Sequence, residues 1–327
     1  MNILIVKTSS LGDIIHTLPA LTDAKKYDPT IQFDWVVEEN FAEIPLWHPH
    51  VRQVIPFAWR RWRKNMWATW REQALQNFYH RLRSQSYDLI IDAQGLVKSG
   101  LVTFLAKGVR CGLDYPSARE SWASWLYQKK VKVLFEQHAI TRARQLFASA
   151  LDYDCPQDSP DYAIRSHFLP AVSSEQNEPY ILFIHGTTWK TKEWAESYWI
   201  ALAHRCVAEG WAVKIPWGNN IERERAERIA AIHDHIQVLP KSSLSMLGKW
   251  LLQAKAAVAV DTGIAHLAAA LSVPTLSLYG PTDPDRTGAL GEHQVHIRNK
   301  SDMNSISVDE VFEKLQQFPL KTRIIDA

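Results

Sequence analysis

The chain has 327 residues, of which 46% are hydrophobic and 22% are charged, and its formal net charge is +2. This length is roughly twice that of an average single domain, so we predict two domains. The small net charge argues against a nucleic-acid-binding protein, and the three widely spaced cysteines exclude a disulfide framework and fit a reducing cytoplasm.

The amino terminus predicts a buried strand, because its apolar run is short and carries no basic leader or cleavage-like residues. No stretch reaches the roughly 20 uninterrupted apolar residues of a membrane-spanning helix. The most apolar segment, 256–274, contains Asp261 and His266. We therefore expect a cytoplasmic protein, and a peripheral contact with a membrane remains open.

Short apolar runs alternate with longer amphipathic segments in the first half, which is the pattern of βαβ units around a parallel sheet. The predicted strands are 3–6, 33–37, 51–55, 89–91 and 109–112. The predicted helices are 13–26, 60–83, 96–106 and 138–151. A stretch rich in Pro, Ser, Glu and Asn at 169–179 predicts a linker.

The same pattern restarts after the linker. The predicted strands are 180–184, 212–215, 236–239, 256–260 and 275–278. The predicted helices are 196–208, 221–232, 245–254, 264–271 and, last, 307–318. We predict an α/β fold with domains at 1–168 and 180–327, and ligands at the carboxyl ends of the strands in a cleft between the lobes.

The first loop with candidate chemistry, 7–13, joins the first strand to the first helix. Ser10, Gly12 and Asp13 offer a hydroxyl, free backbone amides and a carboxylate at a helix amino terminus. The carboxylate could accept a proton from a bound hydroxyl. The Ser-x-x-Asp spacing is also that of a capping box, so both interpretations remain open.

The second loop follows the first strand of the second half and contains Thr187, Thr188, Lys190 and Lys192. Two hydroxyls and two cations at this position suit a diphosphate. The alternative is a polar loop with a threonine that caps the next helix.

The third loop reads Asp261, Thr262, Gly263 and then His266, where another strand runs into a helix. Backbone amides at that helix start suit a phosphate. His266 could face this site or be an ordinary structural histidine. The turn-rich segment 279–284 follows the next strand and could line the same cleft.

The segment 59–71 is basic and rich in tryptophan. Its tryptophans are Trp59, Trp62, Trp67 and Trp70, and its cations are Arg60, Arg61, Arg63, Lys64 and Arg71. It could be a buried helix with a solvated basic face, or a clamp for a phosphorylated or carboxylated acceptor near a membrane. Nucleic-acid binding is a third interpretation.

These motifs, taken together in this order, resemble a known family. The matching segments are 5–20, 33–39, 60–64, 91–99, 261–266 and 279–284. The sequence resembles the ADP-heptose:lipopolysaccharide heptosyltransferases of glycosyltransferase family 9, from the amino terminus to about residue 284.

The resemblance implies a GT-B fold of two Rossmann-like domains with open parallel sheets that face each other across a cleft. The N-terminal domain would bind the acceptor and the C-terminal domain the ADP-sugar, with the final helix packing back on the N-terminal domain. The implied reaction is an inverting transfer of L-glycero-D-manno-heptose from ADP-heptose to the inner Kdo of Kdo-lipid A. It implies no metal or other cofactor, no nucleic acid, and a peripheral location on the cytoplasmic face of the inner membrane.

The resemblance also implies roles for particular residues. Asp13 would be the general base, and Lys192 would bind the donor diphosphate with Thr187 and Thr188 beside it. Glu222 would hold the ribose hydroxyls. The remaining donor contacts would be Asp261, Thr262, Gly263 and His266. The acceptor contacts would be Ser10, Gly12, Arg60, Arg61, Arg63 and Lys64. Because Lys190 is also present, the sequence leaves open which lysine faces the phosphates.

Three other functions remain as alternatives. One is a related transferase with a different donor or acceptor. Another is a non-catalytic, two-lobed binding protein. A sugar-nucleotide epimerase or dehydrogenase would need a Gly-x-Gly-x-x-Gly turn after a strand, and the chain has none.

Overall fold

The computed structural model describes residues 1–64, 73–169 and 179–318. The chain forms two compact units, Met1–Ala163 and Ile164–Ala327. Each unit contains a six-stranded sheet whose neighbouring strands are parallel. The predicted α/β class is therefore confirmed.

The sheet of the first unit has the strand order β3-β2-β1-β4-β5-β6. Its strands are β1 Asn2–Val6, β2 Gln32–Glu38, β3 Val51–Phe57, β4 Leu89–Asp92, β5 Val109–Leu113 and β6 Lys129–Val131. Its helices are α1 Leu11–Tyr27, α2 Trp59–Lys64, α3 Ala74–Leu82, α4 Val97–Leu105 and α5 Ala139–Leu151. β1 is central and its last four residues are fully buried, which explains its continuous apolar run. The winding direction reverses between β1 and β4, where open α/β sheets bind ligands.

The second unit repeats this winding, with the order β12-β11-β10-β7-β8-β9. Its strands are β7 Tyr180–Ile184, β8 Ala212–Ile215, β9 Ile236–Val238, β10 Ala256–Val260, β11 Thr275–Tyr279 and β12 Gln294–Arg298. Its helices are α6 Arg165–Phe168, α7 Glu196–Ala208, α8 Asn220–Ala230, α9 Leu244–Gln253, α10 Gly263–Ala270, α11 Pro284–Thr287 and α12 Val308–Gln316. The reversal here lies between β7 and β10.

The single helix predicted at 60–83 is wrong. Helix α2 ends at Lys64, and α3 begins at Ala74. The residue before α3, Gln73, has a left-handed backbone with φ of +52°, which a continuous right-handed helix does not permit. Residues 65–72, including Trp67 and Trp70, lie outside the described residues.

The edge strands β6 and β12 were not predicted. β6 exposes Lys129 and Lys130, and β12 alternates polar with apolar residues. Edge strands of this kind lack the buried apolar run on which the other strand predictions depend.

The second unit begins at Ile164, before the predicted domain limit of 168. Arg165 donates a hydrogen bond from Nη1 to the carbonyl of Leu271 at 2.9 Å. The ring of Phe168 lies so close to Gly248 that a Cβ there would overlap it. These contacts tie α6 to the second unit.

The final helix packs within the second unit. Val311 and Leu315 are fully buried in the core of the second unit, together with Trp199 and Cys206 of α7. The neighbouring ring of Phe312 lies 5.9 Å from that of Trp211. The apolar stripe of α12 therefore packs against the apolar surface of α7 in the same unit.

Candidate active site

Asp13 lies in the first turn of α1, just beyond the carboxyl end of β1. The backbone amide and the hydroxyl of Ser10 both donate to its Oδ2, at 2.8 and 2.9 Å. Asp13 thus caps the helix, which confirms the capping interpretation. Capping leaves the carboxylate available, because Oδ1 has no hydrogen-bond partner among the described residues. Gly12 is buried beside it in the same turn.

The surroundings of Asp13 favour its charged form. Burial opposes ionisation, but the Lys7 ammonium, the two hydrogen bonds from Ser10 and the Arg119 charge hold the pKa of Asp13 below its usual value. Burial in turn lowers the pKa of Lys7, against the attraction of Asp13 and Asp92. At neutral pH the carboxylate is ionised, which is the form that accepts a proton.

Gln94 fixes the loop before Asp13. Its Oε1 accepts hydrogen bonds from the backbone amides of Thr8 and Ser9, at 3.0 and 3.1 Å. Asp92 in turn accepts from the amide of Gln94 at 2.8 Å and from the hydroxyl of Tyr127 at 2.7 Å. The motif 91–99 contains both side chains, but nothing in its pattern predicts this positioning role.

The predicted acceptor cations are held in different ways. Arg61 makes a two-pronged contact with Glu39, with both distances at 3.1 Å. The guanidinium of Arg60 lies over the ring of Phe41, at 5.9 Å from its centroid. The side chains of Arg63 and Lys64 are exposed. The described part of this segment is therefore a short helix with a basic, solvated face.

The inner face of the same helix joins the core. Trp62 is buried, and its ring lies 5.4 Å from Phe57 and 5.5 Å from Phe78. Trp59 stacks on Phe57 at the surface. At least these two tryptophans therefore stabilise the fold.

In the second unit the structure brings together the two loops that are predicted to bind the donor, which we call the donor loops. Lys192 Nζ lies 2.6 Å from Asp261 Oδ2, and the two side chains are 25% and 9% exposed. The hydroxyl of Thr187 donates to the backbone carbonyl of Asp261 at 3.1 Å. These loops follow the adjacent strands β7 and β10, which brings Thr187, Lys192 and Asp261 together at one edge of the sheet.

Thr188 and Lys190 occupy the outer side of the same loop. Both are exposed, whereas Lys192 is partly buried against Asp261. Of the two lysines, Lys192 is thus the one directed at the second donor loop.

Glu222 lies in the first turn of α8, against the loop after β7. A Cβ at Gly186 would sit 2.6 Å from its carboxyl carbon, so a larger residue there would displace the Glu222 carboxylate. The carboxylate accepts hydrogen bonds from the amide of Gly218 at 2.7 Å and from the side-chain amide of Asn219 at 2.8 Å. The predicted ribose contact therefore adjoins the donor loop and also closes the start of its own helix.

Helix α10 begins at Gly263, with Thr262 as its N-cap. Thr262 and Gly263 are partly exposed, while His266 is buried one turn further on. First-turn amides lack partners within a helix and carry partial positive charge, which suits a phosphate group.

Two further features concern only the parts of the chain that the structure describes. There, no group of three or more His, Cys, Asp or Glu side chains is arranged to hold a metal ion. No helix in these ranges is long and apolar enough to cross a membrane.

Two doubly wound parallel sheets of the same winding, each with polar loops at its switch point, define the GT-B class of glycosyltransferase folds. Residues 75–316 match the profile of glycosyltransferase family 9 (heptosyltransferase). Lipopolysaccharide heptosyltransferase 1 of Pseudomonas aeruginosa is 55% identical over 298 residues, which are 91% of this chain and 83% of that protein. This chain belongs to glycosyltransferase family 9, the heptosyltransferases.

Solved structures agree with this assignment. The E. coli heptosyltransferase WaaC with ADP matches with a TM-score of 0.93 and 44% identity, over 97% of this chain and 99% of that one. WaaC with ADP-2-deoxy-2-fluoro heptose matches with a TM-score of 0.90 and 44% identity over the same shares. The family resemblance and the GT-B fold predicted from the sequence are confirmed.

Proposed function

We propose that this heptosyltransferase moves L-glycero-D-manno-heptose from ADP-heptose to the inner Kdo of Kdo-lipid A. The observation that carries the donor assignment is the cluster of Thr187, Lys192 and Asp261 beside the start of α10. The similarity to WaaC, solved with ADP and with an ADP-heptose analogue, supports the same donor.

In this proposal the second unit binds the donor. Lys192, Thr187 and Thr188 hold the diphosphate with the first-turn amides of α10, and Glu222 holds the ribose hydroxyls. Asp261, Thr262, Gly263 and His266 complete the donor contacts. The cation and the helix dipole offset the charge of the departing ADP, so the reaction proceeds without a metal ion.

The first unit binds the acceptor. Asp13 accepts the proton of the attacking hydroxyl, whose oxygen forms a bond to the anomeric carbon of the heptose. The bond from that carbon to the diphosphate breaks on the opposite side, and its electron pair leaves with ADP. One carboxylate suffices because no covalent intermediate forms, and the anomeric configuration inverts.

The acceptor is acidic, which gives the cations of the first unit their role. Arg60, Arg61, Arg63 and Lys64 bind its anionic groups, while Ser10 and Gly12 lie beside the attacking hydroxyl. The enzyme works on the cytoplasmic face of the inner membrane as a peripheral protein.

Transfer of heptose from ADP-heptose to a soluble Kdo-bearing acceptor tests this function. Turnover is expected with ADP-heptose and is expected to persist in excess EDTA, with ADP raising the melting temperature more than UDP or GDP does. If another nucleotide sugar were used and ADP-heptose were ignored, the donor assignment would be wrong. If EDTA abolished turnover and Mg²⁺ restored it, the metal-independent mechanism would be wrong.

A further inference from the structure

Helix α4 exposes an apolar stripe, although helices normally bury theirs. Its buried side consists of the small or short residues Ser99, Gly100, Val102 and Thr103. The exposed side carries Val97, Leu101, Phe104 and Leu105, which are spaced as one stripe along the helix. The larger apolar side chains of α4 therefore point to solvent.

Two tryptophans extend this stripe. The 3-10 helix Ser121–Leu126 packs on α4, where Gly100 lets the side chain of Leu126 approach closely. Trp122 and Trp125 are 57% and 65% exposed, and their ring centroids are 4.3 Å apart. Contacts join the two elements at both ends of α4. At its start, the backbone amide of Val97 donates to the Glu120 carboxylate at 2.7 Å. At its end, Arg110 contacts both Phe104 of α4 and Leu126 of the 3-10 helix. The Trp122 face is defined as the exposed apolar residues of these two packed elements: Val97, Leu101, Phe104, Leu105, Trp122 and Trp125.

The segment that carries the Trp122 face is mostly positive in charge. Residues 97–132 contain seven cations and two acids, the cations being Lys98, Lys107, Arg110, Arg119, Lys129, Lys130 and Lys132. Both acids, Asp114 and Glu120, accept hydrogen bonds from nearby backbone amides. Arg110 lies over the ring of Phe104 at 5.0 Å and donates to the carbonyl of Leu126 at 3.0 Å. An exposed aromatic and aliphatic surface among cations has the composition of a segment that lies in a lipid–water interface.

The Trp122 face also adjoins loop 7–13 of the first unit, which carries the proposed base Asp13 and which we call the base loop. The amide of Glu120 donates to the carbonyl of Gly95 at 2.9 Å. Gly95 directly follows Gln94, whose side chain holds Thr8 and Ser9. A lipid anchored against this face would have its headgroup next to the loop that carries Asp13.

We infer that the Trp122 face docks on the surface of a bilayer that contains anionic phospholipid. The indole rings of Trp122 and Trp125 enter the headgroup region, and the surrounding cations contact lipid phosphates. The choice of a lipid surface rests on the proposed function, because the proposed acceptor is itself lipid-anchored. This contact is distinct from the basic segment that begins at Trp59.

Sedimentation of the full-length protein with vesicles tests this inference. We compare phosphatidylcholine vesicles with vesicles that also hold about 30% phosphatidylglycerol, at roughly 0.1 M salt. The wild type is expected to bind the anionic vesicles more strongly. The double variant Trp122→Ser/Trp125→Ser is expected to lose roughly tenfold or more of the partition coefficient, because two indole rings leave the interface.

A matched control removes an exposed apolar side chain elsewhere on the same unit. Leu46→Ser is expected to retain wild-type binding, since Leu46 is about half exposed and lies outside the Trp122 face. The melting temperature of the double variant should stay close to that of the wild type, because both indoles are exposed. Turnover with a soluble Kdo-bearing acceptor should also be retained, while turnover with a vesicle-embedded acceptor should fall.

Three results would overturn the inference. One is equal vesicle binding by the double variant and the wild type. Another is a loss of binding only in Arg63→Ala/Lys64→Ala, which would move the contact to the basic segment. The third is a wild-type dimer that the double variant converts to a monomer, which would make this face a contact between two copies.

The outcome also separates this inference from the proposed function. A protein that binds vesicles through Trp122 and Trp125 but transfers no heptose would contradict only the function. A protein that transfers heptose to the soluble acceptor but never sediments with vesicles would contradict the docking and leave the transfer reaction standing.

Discussion

The base loop of the first unit and the donor loop of the second unit occupy equivalent positions, yet they hold their charges in opposite ways. Each follows the central strand at a switch point. Asp13 is held by Ser10 in its own loop and leaves Oδ1 unused by the described residues. Lys192 instead pairs with Asp261, a group from another loop.

This difference bears on how each site meets its substrate. The proposed acceptor side is held by the chain itself, because hydrogen bonds from Asp92 through Gln94 fix the loop. If Lys192 binds the diphosphate as proposed, the diphosphate must share Lys192 with the Asp261 carboxylate or displace it. Donor binding is therefore expected to include an exchange of ionic partners, whereas acceptor binding is not.

Replacing Asp13 is the strongest test of the proposed acceptor side. Asp13→Asn keeps an oxygen that can accept from the Ser10 amide, so the helix cap should survive. Turnover is expected to fall by about 10²- to 10⁴-fold, because the proton acceptor is gone. Steady-state transfer assays measure this loss, and an unchanged melting temperature serves as the folding control. Near-full turnover in Asp13→Asn would show that Asp13 is not the base.

Replacing Lys192 is the corresponding test of the donor side. Lys192→Met is expected to lower kcat/KM for ADP-heptose by about 10²-fold or more, because it removes the cation that offsets the departing charge. Lys190→Met is the matched control, since Lys190 is an exposed cation two residues away. If Lys190→Met caused the larger loss in the same assay, Lys190 would be the lysine that faces the diphosphate.

Stability measurements can test whether the partners on the donor side are coupled. Lys192→Met leaves the nearly buried Asp261 carboxylate unpaired, which is expected to reduce the free energy of unfolding by about 1–3 kcal/mol. The double variant Lys192→Met/Asp261→Asn should recover part of this loss. Denaturant unfolding of the wild type, Lys192→Met, Asp261→Asn and the double variant gives the coupling energy.

The pair Arg223–Glu227 provides the control for that cycle. It lies one turn apart on α8, with both side chains about half exposed. Its coupling is expected to be only about 0.3–0.5 kcal/mol. Equal coupling in the two pairs would mean that the Lys192–Asp261 contact is an ordinary surface pair, and the proposed exchange of partners would lose its basis.

The sequence was most informative where a local rule applied. Alternating apolar runs located the central strands, and they placed Thr187 and Asp261 each directly after a strand. The Ser10–Asp13 cap follows from spacing within one turn. These features depend on short stretches of chain or on the rule that parallel strands end at one edge.

Features that depend on distant parts of the chain could not be predicted in this way. Gln94 accepts hydrogen bonds from Thr8 and Ser9, which lie 86 and 85 residues earlier in the chain, and no local sequence pattern encodes such a contact. The helix is interrupted at Gln73 by a left-handed backbone conformation, which a glutamine does not signal in the sequence. Periodicity also does not reveal that α4 buries its small residues and exposes its large ones.

The smallest expected effect concerns how Asp13 is kept ionised. Because its pKa lies below the usual value of about 3.9, the wild-type carboxylate stays charged as the pH falls towards that value. Ser10→Ala removes one hydrogen bond to the charged form and keeps the one from the backbone amide. The pKa of Asp13 should rise, so the acid limb of kcat/KM should move to higher pH.

The matched control is Thr17→Val, because the Thr17 hydroxyl contacts the backbone carbonyl of Asp13 at 2.9 Å and leaves the carboxylate alone. It should leave the limb in place. Tryptophan fluorescence at each pH verifies that both variants remain folded. At neutral pH, turnover of Ser10→Ala should change by no more than about threefold, since the base is already ionised there. A loss as large as that of Asp13→Asn would show that the serine hydroxyl, rather than the carboxylate it supports, carries the proton.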